Sequence, residues 1–422
     1  MRFLTALRQP TIRKLEVLGD ADIVVGIPTY MNANTVRKVI RTVCQGLHMY
    51  FPDKKALLFV SDGGSTDDTR EVAQSVDLSD YEHEKIVAIY RGLPGKGSAL
   101  RAVFEAAKFL GAQGIALFDA DLRSITPEWV RNVLTPIFGG YDYVTPYYNR
   151  YKYDGTITNT IAYPLTRALF GKRIRQPIGG DFGVSARLAY YYAHQDVWET
   201  DVARFGIDIW MTVNAITGGF RIAQARLGAK IHDVKDPAKH LSAMFLQVVG
   251  TIFNLLDEYE NYWLGVRGSE DVPILGEFAG EDPPAFDIDV VALIDYFKLG
   301  YENFGALWRN ILEPEDYEVY ESLYHADDPT KFLIPNETWA RTVYRYAVTF
   351  HRMPRQRFKV LNTLIPLYNL NVANIYNRLK DADQVEAEEF FDGLAGTFED
   401  LKEYFVGLYE GVKSEESKST AY

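Results

Sequence analysis

Gly114-Ile115-Ala116-Leu117-Phe118-Asp119-Ala120-Asp121 is the stretch that decides the fold. Its first five residues carry no polar side chain, which predicts a strand covered on both faces, since a strand with one wet face would alternate. The run stops in two carboxylates separated by one alanine. Placing two carboxylates just past a buried strand is costly unless something neutralises them. A hard divalent cation, Mg²⁺ or Mn²⁺, does this and can bridge a carboxylate to a diphosphate. Asp-X-Asp is also common in solvated loops, so its position at a strand end is what favours a metal.

Upstream, the same pattern repeats three times. Ile23 to Ile27 is a β-branched run stopped by Pro28, and a helix is expected over 34–47. Leu57 to Val60 is a second strand, ended by Asp62-Gly63-Gly64-Ser65, with Thr66 or Asp67 as the cap of a helix running through Val72. Ile86 to Tyr90 is a third strand, followed by a helix over 97–110. Apolar strands separated by helices imply an α/β fold, a mostly parallel, Rossmann-like sheet with helices on both faces. Such sheets bind ligands at the carboxyl ends of their strands, and every strand terminator quoted so far lies on that edge.

The candidate site residues follow from that edge. Pro28, Thr29 and Tyr30 would face a nucleoside together with Asp62, whose acceptor-only carboxylate suits a base N–H. An Asx-turn explains Asp62 equally well. Pro94-Gly95-Lys96-Gly97 precedes a helix, so it reads either as an anion cradle with Lys96 as its charge or as a simple turn. The P-loop spacing is absent, which excludes that type of NTPase. In Gln176-Pro177-Ile178-Gly179-Gly180-Asp181 the paired glycines let backbone N–H groups reach a ligand and Asp181 could bond sugar hydroxyls, but structural turns explain many such loops. Asp208 opens a helix, where capping competes with a role in the site. His232 ends the β-like run 229–231 and could give a metal its neutral imidazole, while Lys230 beside it reads equally as a solvated lysine.

Beyond residue 238 strand signals vanish. Amphipathic stretches over 241–260, 290–312 and 339–350 take their place, with a Gly, Pro and acid-rich loop over 268–284. The expected division is an N-terminal extension over 1–20, a catalytic domain over 21–238, a helical domain over 239–412 and a frayed polar tail over 413–422. Hydrophobic residues make up 47% of the chain and charged residues 24%, enough for a sizeable core. The net charge of −12 opposes binding to nucleic acid or anionic membranes. A single cysteine, Cys44, precludes an intrachain disulfide and suits a reducing cytoplasm. No apolar run reaches the roughly 18 residues of a membrane span, and the N-terminus lacks a signal peptide's apolar run. A soluble cytoplasmic protein is expected.

Taken in order, Ile27-Pro28-Thr29-Tyr30, Asp62 to Thr69, Pro94 to Gly97, Asp119-Ala120-Asp121, Gln176 to Asp181, Phe205-Gly206-Ile207-Asp208 and His232 resemble the GT-A nucleotide-sugar transferases. Within that group they look most like the retaining glucosyl-3-phosphoglycerate synthases and mannosylglycerate synthases, over residues 22–245. The resemblance implies that Asp62 contacts the base, and that Pro28, Thr29 and Tyr30 line the nucleotide. Gly95 and Lys96 would lie on the diphosphate side, Asp119 with Ala120 at the ribose or metal shell, and Asp121 with His232 on the metal. Gly179 and Gly180 would hold donor sugar and acceptor, with Asp181, Lys96 and Asp208 as the catalytic group.

Two departures from the family pattern matter. The family's loop usually ends in Glu where Asp181 stands. Where the phosphoglycerate enzymes carry Gly-Arg-hydrophobe-Thr, this chain has Gly155-Thr156-Ile157-Thr158. Thr156 and Thr158 remain as hydroxyls for an acceptor, but loss of the bidentate guanidinium disfavours a phosphorylated one. The implied activity is metal-dependent, retaining transfer of glucose or mannose, from UDP-glucose or GDP-mannose, to glycerate or a similar small hydroxy acid. An inverting GT-A enzyme acting on a polysaccharide or lipid-linked acceptor is an alternative, but Gln-x-x-Arg-Trp and membrane helices are absent. A sugar nucleotidyltransferase is another, but its Gly-rich basic signature after the first strand is missing. A non-enzymatic nucleotide-binding module would leave the aspartates and His232 without purpose. Tyr259, Tyr262, Trp263, Tyr296 and Phe297 could bury a homodimer interface or simply pack a core.

Overall fold

The computed structural model describes residues 4–81, 83–232, 237–277, 282–326, 328 and 333–419. The chain divides into two compact units. The first comprises Met1–Arg150, Ile174–Val234 and Asp271–Pro284. Its centre is an eight-stranded sheet of β1 (Ile23–Thr29), β2 (Ala56–Asp62), β3 (Glu84–Ile89), β4 (Gly114–Leu117), β5 (Tyr143–Asn149), β6 (Phe182–Ser185), β7 (Ile222–Ala229) and β8 (Ile274–Leu275). The spatial order is β8-β7-β5-β6-β4-β1-β2-β3.

The alternation of β1 shows why both faces are covered. Ile23, Val25 and Ile27 point into a core with Val39, Ile40 and Val43 of the helix Val36–Tyr50 and with Trp129 and Val130 of the helix Pro127–Phe138. On the opposite face, Gly26 lies so close to Val103 of the helix Lys96–Phe109 that an added Cβ would meet it at 2.6 Å. Each buried Val or Ile side chain contributes about 1.5–3 kcal/mol, so the two-sided core dominates the stability of the unit.

The expected elements are present, with boundaries moved by up to four residues. β1 continues through Pro28 to Thr29, because the residue across from Pro28 on β2 is Ser61 and the parallel ladder carries on to Asp62. The third helix is Thr69–Ser75 with Asp68 at its N-cap position; Asp67 instead accepts from Thr69 N–H at 3.1 Å. Three strands of the sheet, β5, β6 and β8, are not among the expected elements, and β8 lies where a loop over 268–284 is expected. β6 runs antiparallel to both β4 and β5, while the other pairings are parallel. Because β6 is reversed, its first residue, Phe182, sits beside Leu117 at the carboxyl end of β4. The glycine loop that precedes Phe182 is thereby brought to the functional edge.

The second unit comprises Tyr151–Arg173, Lys235–Glu270 and Ala285–Tyr422. It is helical, with long helices at Pro237–Glu258, Val290–Ile311, Asn336–Arg352, Arg357–Leu379 and Gln384–Asp400. The expected boundary at 238 needs correction, because residues 151–173 belong to this unit and residues 271–284 to the first. The reason is visible in the bonds of the early segment. Lys152 donates to the carbonyls of Lys380 and Ala382 at 2.9 and 2.8 Å, Trp339 Nε1 donates to Thr160 O at 2.9 Å, and Arg167 pairs with Asp392 and Glu399 at 2.7 Å each. The tail is also corrected: the helix Lys402–Ser419 runs through most of 413–422, and the N-terminal extension contains the helix Gln9–Leu18. Of the aromatics considered for a dimer interface, Trp263 and Phe297 are fully buried, against Phe405 and Trp308 respectively. Tyr296 remains 45% exposed. No helix among the described residues is long and apolar enough to cross a membrane.

Candidate active site

At the carboxyl edge of the sheet, five ionisable side chains converge. Asp119 follows β4, Asp181 precedes β6, Lys230 follows β7, Lys96 begins the helix Lys96–Phe109, and Asp208 lies in the first turn of the helix Ile207–Thr217. Lys96 Nζ lies 2.8 Å from Asp119 Oδ1 and 3.1 Å from Asp208 Oδ2, and donates to Gly180 O at 3.2 Å. Lys230 Nζ lies 3.0 Å from Asp119 Oδ2 and 2.9 Å from Asp181 Oδ2, and donates to Gly179 O at 2.7 Å. Asp181 Oδ1 accepts from Asp119 N–H at 2.8 Å. That last bond exists because β6 is reversed and starts next to the end of β4.

The electrostatics follow from burial and partners. Burial opposes ionisation of Asp119, but Lys96 and Lys230 outweigh it and hold the carboxyl well below the usual range. Burial pushes Asp181 upward, with Lys230 pulling against it and Asp119 adding to the rise. Asp208 is likewise raised, by burial first, and its Oδ1 is buried without a hydrogen-bond partner. Burial would lower Lys96, yet Asp119 and Asp208 leave its ammonium above the ordinary lysine value. Exposure ranks the members: the Asp119 side chain keeps 22%, Lys96 12%, Lys230 5% and Asp181 none. A ligand at this edge therefore meets Asp119 and Lys96 first, with Lys230 and Asp181 beneath them.

The segments that carry Asp121 and His232 are joined by the backbone next to Asp121. Leu122 forms an antiparallel bridge with His232, and Arg123 N–H donates to Ile231 O at 2.8 Å. The residue after β4's aspartates and the residue ending the β7 extension are thus paired directly. One carboxylate and one imidazole are a donor set that suits Mg²⁺ or Mn²⁺, which keep several positions for phosphate oxygens and water. Among the described residues no group of three or more His, Cys, Asp or Glu is placed to hold a metal.

The nucleoside-facing candidates fall differently. Asp62 is fully buried, and each of its oxygens already accepts two bonds. Oδ1 takes the N–H groups of Gly64 and Ser65 at 2.8 Å each, while Oδ2 takes the hydroxyls of Thr29 at 2.9 Å and Ser65 at 2.6 Å. Asp62 thus builds the turn after β2, as an Asx-turn residue does. Thr29 is buried with it, Pro28 is half-buried, and Tyr30 is left 64% exposed at the end of β1. Gly95 donates to Tyr90 Oη at 2.9 Å, which holds the loop ahead of Lys96. Ala120 is buried between the two aspartates. Thr156 and Thr158 belong to the helical unit, where Thr156 Oγ1 pairs with Tyr368 Oη at 2.5 Å and Thr158 is buried.

Two members of the edge escaped the sequence reading. Lys230 was indistinguishable from a solvated lysine, although its spacing to His232 repeats the spacing of Asp119 to Asp121. Tyr148, whose hydroxyl donates to Asp181 Oδ2, carried no signal because β5 shows only a run of aromatic residues. Gly180 has a sharper local requirement. Its φ is +94°, and a Cβ would stand 2.2 Å from Asp119 Oδ2 and 2.9 Å from Lys230 Nζ. Gly180→Ala is expected to lower the unfolding free energy by about 1–3 kcal/mol, read by urea denaturation. An unchanged midpoint would mean the loop is not held in this conformation.

Residues 24–188 match glycosyl transferase family 2. Glucosyl-3-phosphoglycerate synthase of Mycolicibacterium paratuberculosis is 27% identical over 215 residues, 47% of this chain and 62% of that relative. The enzyme of the same name from Mycolicibacterium smegmatis is 26% identical over 243 residues, covering 54% of this chain and 75% of its own length. Among solved structures, glucosyl-3-phosphoglycerate synthase from Mycobacterium tuberculosis in complex with Mg²⁺ and UDP is similar at 25% identity and a TM-score of 0.44, over 59% of this chain and 85% of that one. The family match covers all of β1 but its first residue and runs on through β6, and so includes Lys96, Asp119, Asp121 and Asp181 but neither Lys230 nor His232.

Proposed function

We propose that this chain is a metal-dependent glycosyltransferase that moves a hexose from a nucleotide diphosphate sugar to a small hydroxy acid. The support for the reading is the Lys96–Asp119–Lys230 cluster at the strand edge, together with the Leu122–His232 bridge that brings the segment following Asp121 alongside His232. Asp121 and His232 would hold Mg²⁺ or Mn²⁺, which when bound would neutralise the diphosphate that leaves the sugar. Lys96, partly exposed, adds a positive charge aimed at the same group, a preorganised electrostatic contribution to the transition state. Asp119 receives both lysines and stands where a ribose or sugar hydroxyl can donate to it. Asp181 has no exposed surface, so its part is to position Asp119 from below. The raised carboxyl of Asp208 and its unpartnered Oδ1 give the site one buried acceptor next to Lys96.

The names of the relatives favour glucose over mannose as the transferred sugar. They also specify a phosphorylated glycerate. Thr156 stands where those enzymes' sequence pattern has an arginine, and loss of that guanidinium favours the unphosphorylated acid as acceptor. Transfer proceeds with retention of anomeric configuration, the acceptor hydroxyl attacking on the face from which the diphosphate departs.

A panel of UDP- and GDP-sugars with Mn²⁺, offered glycerate and 3-phosphoglycerate in parallel, tests the reading. The expected result is a glycoside of glycerate with the donor's anomeric configuration, seen by NMR. Pyrophosphate release from a sugar phosphate and nucleotide would identify a nucleotidyltransferase instead, and preference for 3-phosphoglycerate would overturn the acceptor assignment.

A further inference from the structure

The ladder between β5 and β7 is irregular at one place. Tyr147 pairs with Arg226, but Tyr148 pairs with Gly228, leaving Leu227 as an extra residue on β7. Gly228 sits at φ +73°, a left-handed conformation that glycine adopts without steric cost. Such a bulge re-aims the side chains around it. Two side chains emerge from it, Tyr148 opposite the bulge and Lys230 two residues further on. Both reach the same atom: the Tyr148 hydroxyl donates to Asp181 Oδ2, and Lys230 Nζ lies 2.9 Å from that oxygen. Lys230 Nζ also stands 5.2 Å from the centroid of the Tyr148 ring. Trp129, fully buried, packs against that ring at 5.5 Å, and Tyr148 itself is 4% exposed. The phenol is thus held in one orientation by tertiary packing.

We propose that Tyr148 is a positioning residue for glycosyl transfer, acting through Asp181 on Asp119; this rests on the function proposed above. With Oδ2 fixed by the phenol and Lys230, Asp181 turns Oδ1 toward Asp119 N–H at 2.8 Å. That bond anchors the peptide at the exit of β4, and with it the carboxylate that Lys96 and Lys230 grip from two sides. The bulge therefore transmits its geometry along Tyr148, Asp181 and Asp119 without any of the first two touching a ligand.

Tyr148→Phe tests this, because it keeps the ring, its packing on Trp129 and its contact with Lys230. Loss of a bond to a charged buried group is expected to lower kcat about tenfold to hundredfold, with the KM for donor unchanged. In an Asp181→Asn background the same change should cost little more, since the two act as one unit. A Tyr148→Phe enzyme with wild-type kcat, a rise in KM alone, or losses that multiply in the double variant would each overturn the positioning role while leaving the transferase intact. A wild-type protein inactive with every donor would instead sink the proposed function, and the positioning role with it.

Discussion

Asp121→Ala is expected to abolish the proposed sugar transfer while the protein keeps its fold. The expected loss in kcat is about a thousandfold or more, the scale at which removing a preorganised group opposite developing charge is felt. Stability should change little, because Asp121 stands at the edge of the core rather than in it. The assay is product formation with the best donor of the panel and Mn²⁺, alongside a thermal melt of the metal-free protein. Near-wild-type turnover would mean that the first aspartate, Asp119, suffices and that Asp121 holds no catalytic metal.

The second large effect is on stability. Lys230→Met removes the cation that touches both Asp119 and Asp181, and leaves two carboxylates facing each other with only Lys96 and hydrogen bonds to oppose them. Breaking a buried ion pair on one side costs about 3–5 kcal/mol, because the surviving charge stays desolvated. The carboxyl of Asp119, now held low by Lys96 and Lys230, should rise, and with it the pH below which Asp119 ceases to be an anion. Urea unfolding at neutral pH measures the first consequence. A loss below about 1 kcal/mol, the level of an exposed pair, would show that Lys230 is solvated in solution.

How much of this was legible beforehand depends on what each residue's role requires. The strands from Ile23, Leu57 and Gly114 could be read because burial on both faces leaves apolar runs in them, and the half-buried edge strand because Ile86 to Ile89 is itself an apolar run. β6 could not, since Phe182–Ser185 is four residues long and its direction is set by pairing with β4 and β5, not by composition. With β6 hidden, the closeness of Asp181 to Asp119 was hidden too. Asp62 reads two ways, and its four internal hydrogen bonds account for the turn. Lys230 and Tyr148 were missed for the same physical reason: a lysine and a tyrosine look alike in sequence whether solvent or a buried carboxylate receives them. The helical unit was visible as amphipathic stretches, but the membership of residues 151–173 rests on long-range bonds such as Trp339 to Thr160, which no local pattern foretells.

Calorimetric titration of Mn²⁺ into the protein, with UDP or GDP present according to the donor the panel selects, bears most directly on the shared-ion arrangement. The wild type should take up one Mn²⁺ per chain with the nucleotide present, and both Asp121→Ala and His232→Ala should lose that binding. Unaltered Mn²⁺ uptake in the two variants would contradict a metal centre built from Asp121 and His232.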